Sequence, residues 1–208
     1  MKVLSWDVGI VNLAYCLFST RSSPPHIIEW KKIDLFNEIH KTCIVCGKPS
    51  KYISKENSTD VWCALHREHH NCKKLKTLTA KTISSQDLKI ILIRYLERMK
   101  HLLKVDVVLI ENQPSLKNPK MKSLSNTLFD YYYIRGKLDA KSIRKIKYVS
   151  PMRKNTLIGN SKRIKKQSVE YVQNLYKGTK YLKMIRIYKK KDDLCDAFIQ
   201  GYHWISTL

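Results

Sequence analysis

Apolar residues occur in short runs along the first part of the chain, and turn-forming residues separate these runs. The run Met1–Phe18 has Gly9 between two apolar halves, and His26–Ile33 follows the break at Pro24 and Pro25. Short β-rich runs separated by glycine or proline are typical of strands joined by turns. The pattern predicts three consecutive strands that form an antiparallel meander.

The apolar period becomes helical after residue 84. Ser84 and Asp87 form a helix-capping pattern, and apolar residues then recur at helical spacing from Leu88 to Leu103. Val105–Pro114 is a continuous apolar run that ends in polar residues, which is typical of a strand buried on both faces of a parallel sheet. This order of elements indicates an α/β fold. The rest of the chain predicts a helical face over 124–132, a strand at 146–149, a helix over 161–176, a basic loop over 177–191 and a last helix from Asp192.

Residues 39–72 interrupt this pattern. Apolar periodicity fades there, while cysteine and histidine become frequent. We interpret this segment as an insert within a single domain that spans residues 1–208. The change in composition indicates that something other than an apolar core organises the insert.

The insert contains two short-spaced ligand pairs, Cys43-x2-Cys46 and Cys63-x2-His66, with sixteen residues between them. Each pair can hold one ion from a tight turn, and two pairs complete the tetrahedral shell of a structural Zn2+ site. Such a site would fold a segment that is too small for a core of its own. The fourth ligand stays open at this point, because three neighbours could replace His66: His69, His70 and Cys72.

Composition and charge reduce the number of function classes that fit the chain. The chain has 208 residues, of which 43% are hydrophobic, and its 40 Lys and Arg against 17 Asp and Glu give a net charge of +23. Such a surface attracts polyanions, and nucleic acid is the commonest of these. No apolar stretch approaches the roughly 20 residues of a membrane helix, and the N-terminus offers no signal peptide. The six cysteines therefore indicate a reducing, intracellular compartment and metal binding rather than disulfides.

Acidic residues stand at three unusual places in this basic chain. Asp7 lies in the first predicted strand, Glu111 ends the buried strand, and Asp193 and Asp196 share one face of the last helix. Ligands collect at the carboxyl ends of strands in open α/β sheets. Carboxylates that converge there repel one another unless a cation is present, and hard oxygen ligands select Mg2+ or Mn2+. Two such ions can activate a water molecule and stabilise the leaving oxygen of a phosphodiester.

A structural interpretation of the same acids stays open. Asp7 could cap the turn that follows it, and Asp192 or Asp193 could cap the last helix. Glu111 could form a surface salt bridge.

The ordered acidic motifs resemble those of a known family. WDVGIVNLAY with Asp7, IENQP with Glu111 and KKDDLCDAF with Asp193 and Asp196 are similar to the motifs of the RuvC-like Holliday junction resolvases of the ribonuclease H-like superfamily. The similarity is greatest to the poxvirus and large-DNA-virus branch. Further similar stretches are VSP at 149–151 and KKQSVE at 165–170.

The resemblance implies a ribonuclease H-like fold, an α/β fold with a mixed five-stranded sheet flanked by helices. It also implies that the chain resolves four-way junctions and related branched DNA as a homodimer, with two Mg2+ or Mn2+ ions per active site. A virus of this branch would use the protein in the host cytoplasm. The zinc-type insert departs from the compact family pattern. The family's catalytic acids correspond to Asp7, Glu111, Asp193 and Asp196, and its functional lysine corresponds to Lys165 or, as the alternative, Lys166.

Several basic and aromatic residues are candidates for nucleic-acid binding. A cation at Lys165 would stabilise the charge that builds at the scissile phosphate, although contact with an ordinary backbone phosphate is its alternative role. Lys154, Lys162 and Lys166 are further candidates for phosphate contacts. The aromatic run over 129–133, which includes Tyr132, could stack on unpaired bases, or at least two of its rings could pack in the core.

Two other functions fit the same residues. A ribonuclease H-type enzyme that cuts the RNA of an RNA/DNA hybrid would use the same fold and metals. A non-catalytic DNA-binding module would use the acids structurally and bind DNA through the zinc insert. Cleavage of branched against linear DNA in Mg2+ separates these possibilities.

Overall fold

The structure is a computed structural model that describes residues 1–36, 41–68, 70–76, 79–114, 116, 118–151, 164–188 and 190–208, with only the backbone of residues 164 and 165. The strands are β1 (Lys2–Asp7), β2 (Leu13–Ser19), β3 (His26–Ile33), β4 (Tyr52–Ser54), β5 (Val61–Trp62), β6 (Cys72–Lys74), β7 (Val107–Glu111) and β8 (Lys145–Val149). The α-helices are α1 (Ser85–Arg98), α2 (Pro119–Tyr131), α3 (Ile164–Leu175), α4 (Tyr181–Arg186) and α5 (Asp192–Ser206). A 3-10 turn (Lys100–Leu103) follows α1, and a π-helical stretch (Tyr132–Asp139) follows α2.

The main sheet has five strands in the order β3-β2-β1-β7-β8. The first three strands are antiparallel neighbours, as the meander pattern predicted, while β7 and β8 run parallel to β1. Residues of β7 are all buried, which confirms the interpretation of its continuous apolar run. The predicted mixed five-stranded sheet is therefore confirmed.

Helices cover both faces of this sheet. Even-numbered residues of β1, such as Trp6, pack with α1 and α2, whereas odd-numbered residues pack with α3, α4 and α5. The predicted cap starts α1: the Ser84 hydroxyl oxygen accepts from the Asp87 amide at 3.0 Å and its proton is donated to the Asp87 carboxylate at 2.7 Å. Because side chains alternate along a strand, Asp7 and Glu111 both fall on the α5 face.

A tight turn between β1 and β2 keeps Asp7 close to Asn12. A Cβ atom on Gly9 would lie 2.6 Å from the Asn12 carbonyl oxygen, so a larger residue would force the turn to open. Asp7 pairs with Ala14 across this hairpin, at the last position of β1. The glycine in the first apolar run thus places a carboxylate at the carboxyl end of the central strand.

Gly201 lets α5 approach the sheet closely. A Cβ atom there would overlap the Phe18 ring and lie 2.9 Å from the Ser5 Cβ atom. We expect Gly201→Ala to lower the free energy of unfolding by up to about 2 kcal/mol, because an overpacking cost of roughly 1–3 kcal/mol is only partly offset by the helix-propensity gain of about 1 kcal/mol. Denaturant unfolding measures this change. Ser206→Ala, at the exposed end of the same helix, should change stability little, and an equal loss in both variants would contradict the packing argument.

Two expectations are corrected by the structure. The stretch over 177–191 was expected to be a loop, but it contains the short helix α4, whose Tyr181 and Ile185 lie one turn apart and are buried. Tyr132 was expected among the nucleic-acid-binding residues, but it is fully buried, with its ring centroid 6.4 Å from that of Trp6. The base-stacking prediction for Tyr132 is wrong, because a base could not reach a ring enclosed in the core.

The insert forms a small antiparallel sheet of its own, in the order β5-β4-β6, which runs two residues beyond the expected boundary to Lys74. Its buried apolar cluster consists of Cys43, Trp62 and Cys63, and it is separate from the two clusters of the main sheet. Such a small cluster cannot supply much folding energy. Across the residues that the structure describes, none of the helices has the length and apolar character needed to span a bilayer.

Candidate active site and metal centre

All four acids predicted to be catalytic line one cleft. This cleft of about 440 Å³ lies at the carboxyl ends of β1 and β7 and beside the first turn of α5. Trp6 pairs with Ile110 in the parallel register, so the following residues of the two strands are neighbours as well. The residues brought together there are Asp7, Glu111, Asp193 and Asp196.

Gln113 ties the two strand ends together inside the cleft. It is only 8% exposed, and its side-chain amide donates to the Glu111 carboxylate and to the Val8 carbonyl oxygen at 3.3 Å. Ser125 donates to the Glu111 carbonyl oxygen at 3.1 Å and so fixes the same residue from α2. Sequence reasoning missed Gln113, although a polar residue directly after a buried strand marks the place.

Buried hydrogen bonds from β1 and β3 fix the position of α5. The Trp30 indole donates to the Leu194 carbonyl oxygen at 2.8 Å, beside Asp193 in the sequence. Two turns further along, the Gln200 amide donates to the Ser5 hydroxyl at 3.1 Å and to the Trp6 carbonyl oxygen at 3.2 Å. These bonds hold the helix turn that carries two acids next to the strand that carries Asp7.

The structural interpretation does not fit Asp192, Asp193 or Glu111. The residue before α5 is Lys191, and no side chain caps the helix, so neither Asp192 nor Asp193 has the capping role. Glu111 is 8% exposed and lies inside the cleft, not at the surface. Asp192 does not line the cleft. The Lys190 ammonium nitrogen lies 3.8 Å from a carboxylate oxygen of Asp192 and 3.2 Å from one of Asp193.

The donors of the acid cleft suit a hard cation. Carboxylate oxygens and the side-chain amides of Asn12, Gln113 and Asn118 line it, and these are the ligand types that Mg2+ and Mn2+ prefer. These donor types fit the expected ions, although within the described residues the carboxylates are not drawn together as closely as the Cys/His ligands of the insert.

The predicted zinc ligands of the insert form one cluster. The ligand atoms of Cys43, Cys46, Cys63 and His66 all lie within 4.8 Å of one another. The Cys46 and Cys63 sulfur atoms are 3.8 Å apart, and His66 Nδ1 is 3.6 Å from the sulfurs of Cys43 and Cys63. Zinc–sulfur bonds of about 2.3 Å at tetrahedral angles put two sulfurs roughly 3.8 Å apart. The geometry fits a four-ligand Zn2+ site.

Local electrostatics prepare this cluster for a cation. Burial raises the pKa of the Cys43 thiol, but backbone amides of Cys63, Val45 and Cys46 outweigh it and lower the pKa to about 5. The backbone amide of Lys48 lowers the pKa of Cys46, yet burial and the neighbouring sulfurs raise it overall. Thiolates that repel one another in this way are stabilised together by a metal ion.

The sequence left the fourth ligand open, and among the described candidates His66 is the one that lies with the three cysteines. His70 instead stacks on the Trp62 ring at a centroid distance of 4.2 Å, and Cys72 lies outside the ligand cluster on β6. His69 lies outside the described residues.

Most of the predicted phosphate-binding lysines have side chains outside the described part of the chain. Lys154 and Lys162 lie outside the described residues, and for Lys165 only the backbone is described, in the first turn of α3. Lys166 is exposed and lies 3.5 Å from Glu170 one turn along the helix. Their contacts with DNA remain predictions.

Solved structures with the same architecture show the fold class of the chain. The yeast mitochondrial Holliday junction resolvase Ydc2 matches with a TM-score of 0.58 and 18% identity, over 98% of this chain and 78% of its own. The fowlpox virus resolvase, solved with Holliday junction DNA, matches with a TM-score of 0.53 and 21% identity, over 100% of this chain and 98% of its own. Thermus thermophilus RuvC matches with a TM-score of 0.54 and 8% identity, over 100% of this chain and 96% of its own. The chain therefore has a RuvC-like, ribonuclease H-like fold, with the acid cleft at the carboxyl ends of two parallel strands.

Within that class, the chain belongs to the family described as Poxvirus A22 protein, whose model matches residues 53–207. A relative from Acanthamoeba polyphaga mimivirus, protein L451, is 28% identical, and the alignment covers 100% of this chain and 75% of the relative. The family match begins inside the insert and contains three of the four acids of the cleft.

Proposed function

We propose that this protein is a metal-dependent, structure-selective endonuclease that resolves four-way DNA junctions and related branched DNA by phosphodiester hydrolysis. The observation that carries the proposal is the cleft at the carboxyl ends of β1 and β7, where four carboxylates meet in a chain of net charge +23. An acidic cleft repels DNA, so a cation must accompany the phosphate that enters it. Membership of the A22 family supports the same conclusion.

Two Mg2+ or Mn2+ ions, held by Asp7, Glu111, Asp193 and Asp196, would supply an activated water and neutralise the leaving oxygen. The other residues of the site position the carboxylates and the phosphate. Gln113 holds the Glu111 carboxylate in one orientation, and the bonds from Trp30 and Gln200 keep α5 in register with β1. The backbone of α3 carries Lys165, which we assign to the phosphate charge in the transition state.

Resolution requires two cuts on strands related by a two-fold axis. A homodimer with C2 symmetry presents two equivalent clefts and would make both cuts. A site of three thiolates in the insert requires a reducing compartment, which agrees with action in the host cytoplasm.

Cleavage of a synthetic four-way junction tests this function. We expect the junction to be cut in Mg2+ and left intact in EDTA, and a linear duplex of the same sequence to be cut much more slowly. An RNA/DNA hybrid in the same assay tests the ribonuclease H-type alternative. Binding of the junction without cutting in either Mg2+ or Mn2+ would indicate the non-catalytic module instead.

Affinity for DNA should fall steeply as salt increases. Each phosphate neutralised by lysine or arginine contributes a log–log slope of roughly −0.9 on duplex DNA, because condensed counterions are released. With a net charge of +23 we expect several such contacts. Titrations from low to moderate salt with the uncut junction and with linear duplex measure the slope, and a nearly flat binding constant would contradict an electrostatic interface.

A further inference from the structure

The two metal-binding turns of the insert present aliphatic side chains to solvent. Ile44 and Val45 lie between the ligands of the first pair and are 58% and 62% exposed, and Leu65 lies between the ligands of the second pair and is 71% exposed. The flanking ligands hold these residues outward, so they cannot join the small core. We call these three residues the apolar tip. Exposed apolar groups at one place on a protein commonly mark an interaction site.

The insert that carries the apolar tip is basic. Only Glu56, Asp60 and Glu68 oppose the basic residues of this segment, so its net charge is positive. Arg67 lies over the Tyr52 ring at 4.6 Å and donates to its hydroxyl at 2.6 Å, which fixes one cation next to the second ligand pair. The basic residues, all exposed, are Lys41, Lys48, Lys51, Lys55, Arg67, Lys73, Lys74 and Lys76.

Both ends of the insert are attached beside the acid cleft. β3 runs in the same direction as β1, and its last residue, Ile33, pairs with Leu13 at the end of the sheet where Asp7 lies. On the return side, Ala80 lines the cleft itself. The Lys120 ammonium group donates to the carbonyl oxygens of Ala80, Lys81 and Ile83 at 3.1, 2.7 and 2.7 Å, and so fixes this connection. DNA bound at the cleft therefore passes close to the base of the insert.

We infer that the insert is a second DNA-binding element, in which the apolar tip packs against bases unstacked near the branch point while the surrounding cations bind phosphates. Aliphatic side chains act in this way when they enter a base step, and phosphate contacts fix their position. The positive surface favours a polyanion over a protein partner or a second copy of this basic chain. The inference rests on the proposed junction function and assigns the insert a role in it.

Replacing the apolar tip by threonine tests the inference. The full-length variant Ile44→Thr/Val45→Thr/Leu65→Thr keeps every metal ligand, and an Asp7→Asn background prevents cutting during binding measurements. The probe is a four-way junction with 2-aminopurine beside the branch point, whose fluorescence rises when the base unstacks. We expect the parent protein to raise the fluorescence and the triple variant to lose most of that rise. The triple variant should also bind the junction about tenfold more weakly, while its affinity for duplex DNA changes little.

Matched variants distinguish the contribution of the apolar tip to DNA binding from the contribution of the positive charge. Ile28→Thr changes an aliphatic residue that is 42% exposed on β3, at the end of the sheet away from the cleft, and should leave binding unchanged. Lys48→Gln should weaken junction and duplex equally and reduce the salt slope by about 0.9. Zinc content and thermal unfolding check that each variant folds, and Leu65→Thr alone replaces the triple variant if that variant loses its metal.

Three results would overturn the inference. Unchanged fluorescence and an unchanged junction-to-duplex ratio in a zinc-loaded tip variant would do so, and normal junction cleavage by the wild-type chain would then leave the proposed function intact. Loss of self-association in the tip variant, with DNA binding unaffected, would show that the tip contacts a second copy. Failure of the wild-type chain to bind the junction at all would remove the proposed function as well.

Discussion

Replacing Asp7 by asparagine or Glu111 by glutamine should lower the rate of junction cleavage about a thousandfold or more, because loss of a metal ligand removes several kcal/mol of transition-state stabilisation and each 1.36 kcal/mol is tenfold. Both residues line the cleft at the ends of neighbouring parallel strands. Single-turnover cleavage of a labelled junction measures the loss. The same change should leave junction binding intact or tighten it, since one less carboxylate faces the phosphates.

Stability separates a catalytic role from a structural one. Relief of like-charge repulsion should leave the thermal transition of Asp7→Asn and Glu111→Gln unchanged or higher. Asp192→Asn is the matched control, because Asp192 is adjacent in sequence to Asp193 but does not line the cleft, and it should cut at nearly the normal rate. Near-normal cleavage by Asp7→Asn, or an equal loss in Asp192→Asn, would contradict the assignment.

Loss of one predicted zinc ligand should have a large effect on the metal content and the folding of the insert. Cys43→Ser should abolish the zinc that we expect at about one ion per chain, because serine is a poor ligand for Zn2+ and three ligands do not close the site. The apolar cluster of the insert is separate from both main clusters, so the insert should unfold locally while the main domain remains folded. Metal analysis and limited proteolysis of residues 41–76 report these two events.

Cys72 provides the control for this prediction. It lies on β6 of the same small sheet but outside the ligand cluster, so Cys72→Ser should retain zinc and resist proteolysis like the parent. Zinc-free protein from a reduced, fresh preparation of the wild type would rule out the metal site. A large fall in the main thermal transition of Cys43→Ser would contradict the independence of the insert.

Local patterns in the sequence were sufficient for much of the fold. The Ser84 cap, the buried run of β7 and the ligand spacing around Cys43 each depend on residues close together along the chain, and the structure places them as expected. Alternation along each strand explains why Asp7 and Glu111 fall on the same face once β1 and β7 pair, but that pairing is a contact between distant segments.

What the sequence could not show depends on contacts between distant segments. Gln113 acquires its role only because the carbonyl oxygen of Val8 lies beside it, more than a hundred positions earlier. An aromatic residue such as Tyr132 can stack on a base or pack in the core, and its sequence neighbours do not distinguish the two. The packing of Trp6 against its ring shows that it belongs to the core. The short helix α4 was missed because a single pair of buried residues, Tyr181 and Ile185, is too little to establish a helical period.

The Lys120 contact with the three carbonyl oxygens has a consequence for how such a chain can change length. It fixes the polypeptide at Ala80, Lys81 and Ile83, just after the insert, so the segment between β3 and Ala80 behaves as a loop with two fixed ends. Closure entropy grows only logarithmically, at about 0.6 kcal/mol for each doubling of length. Additional modules can therefore be gained, lost or exchanged at this connection during evolution while the geometry of the catalytic end is preserved.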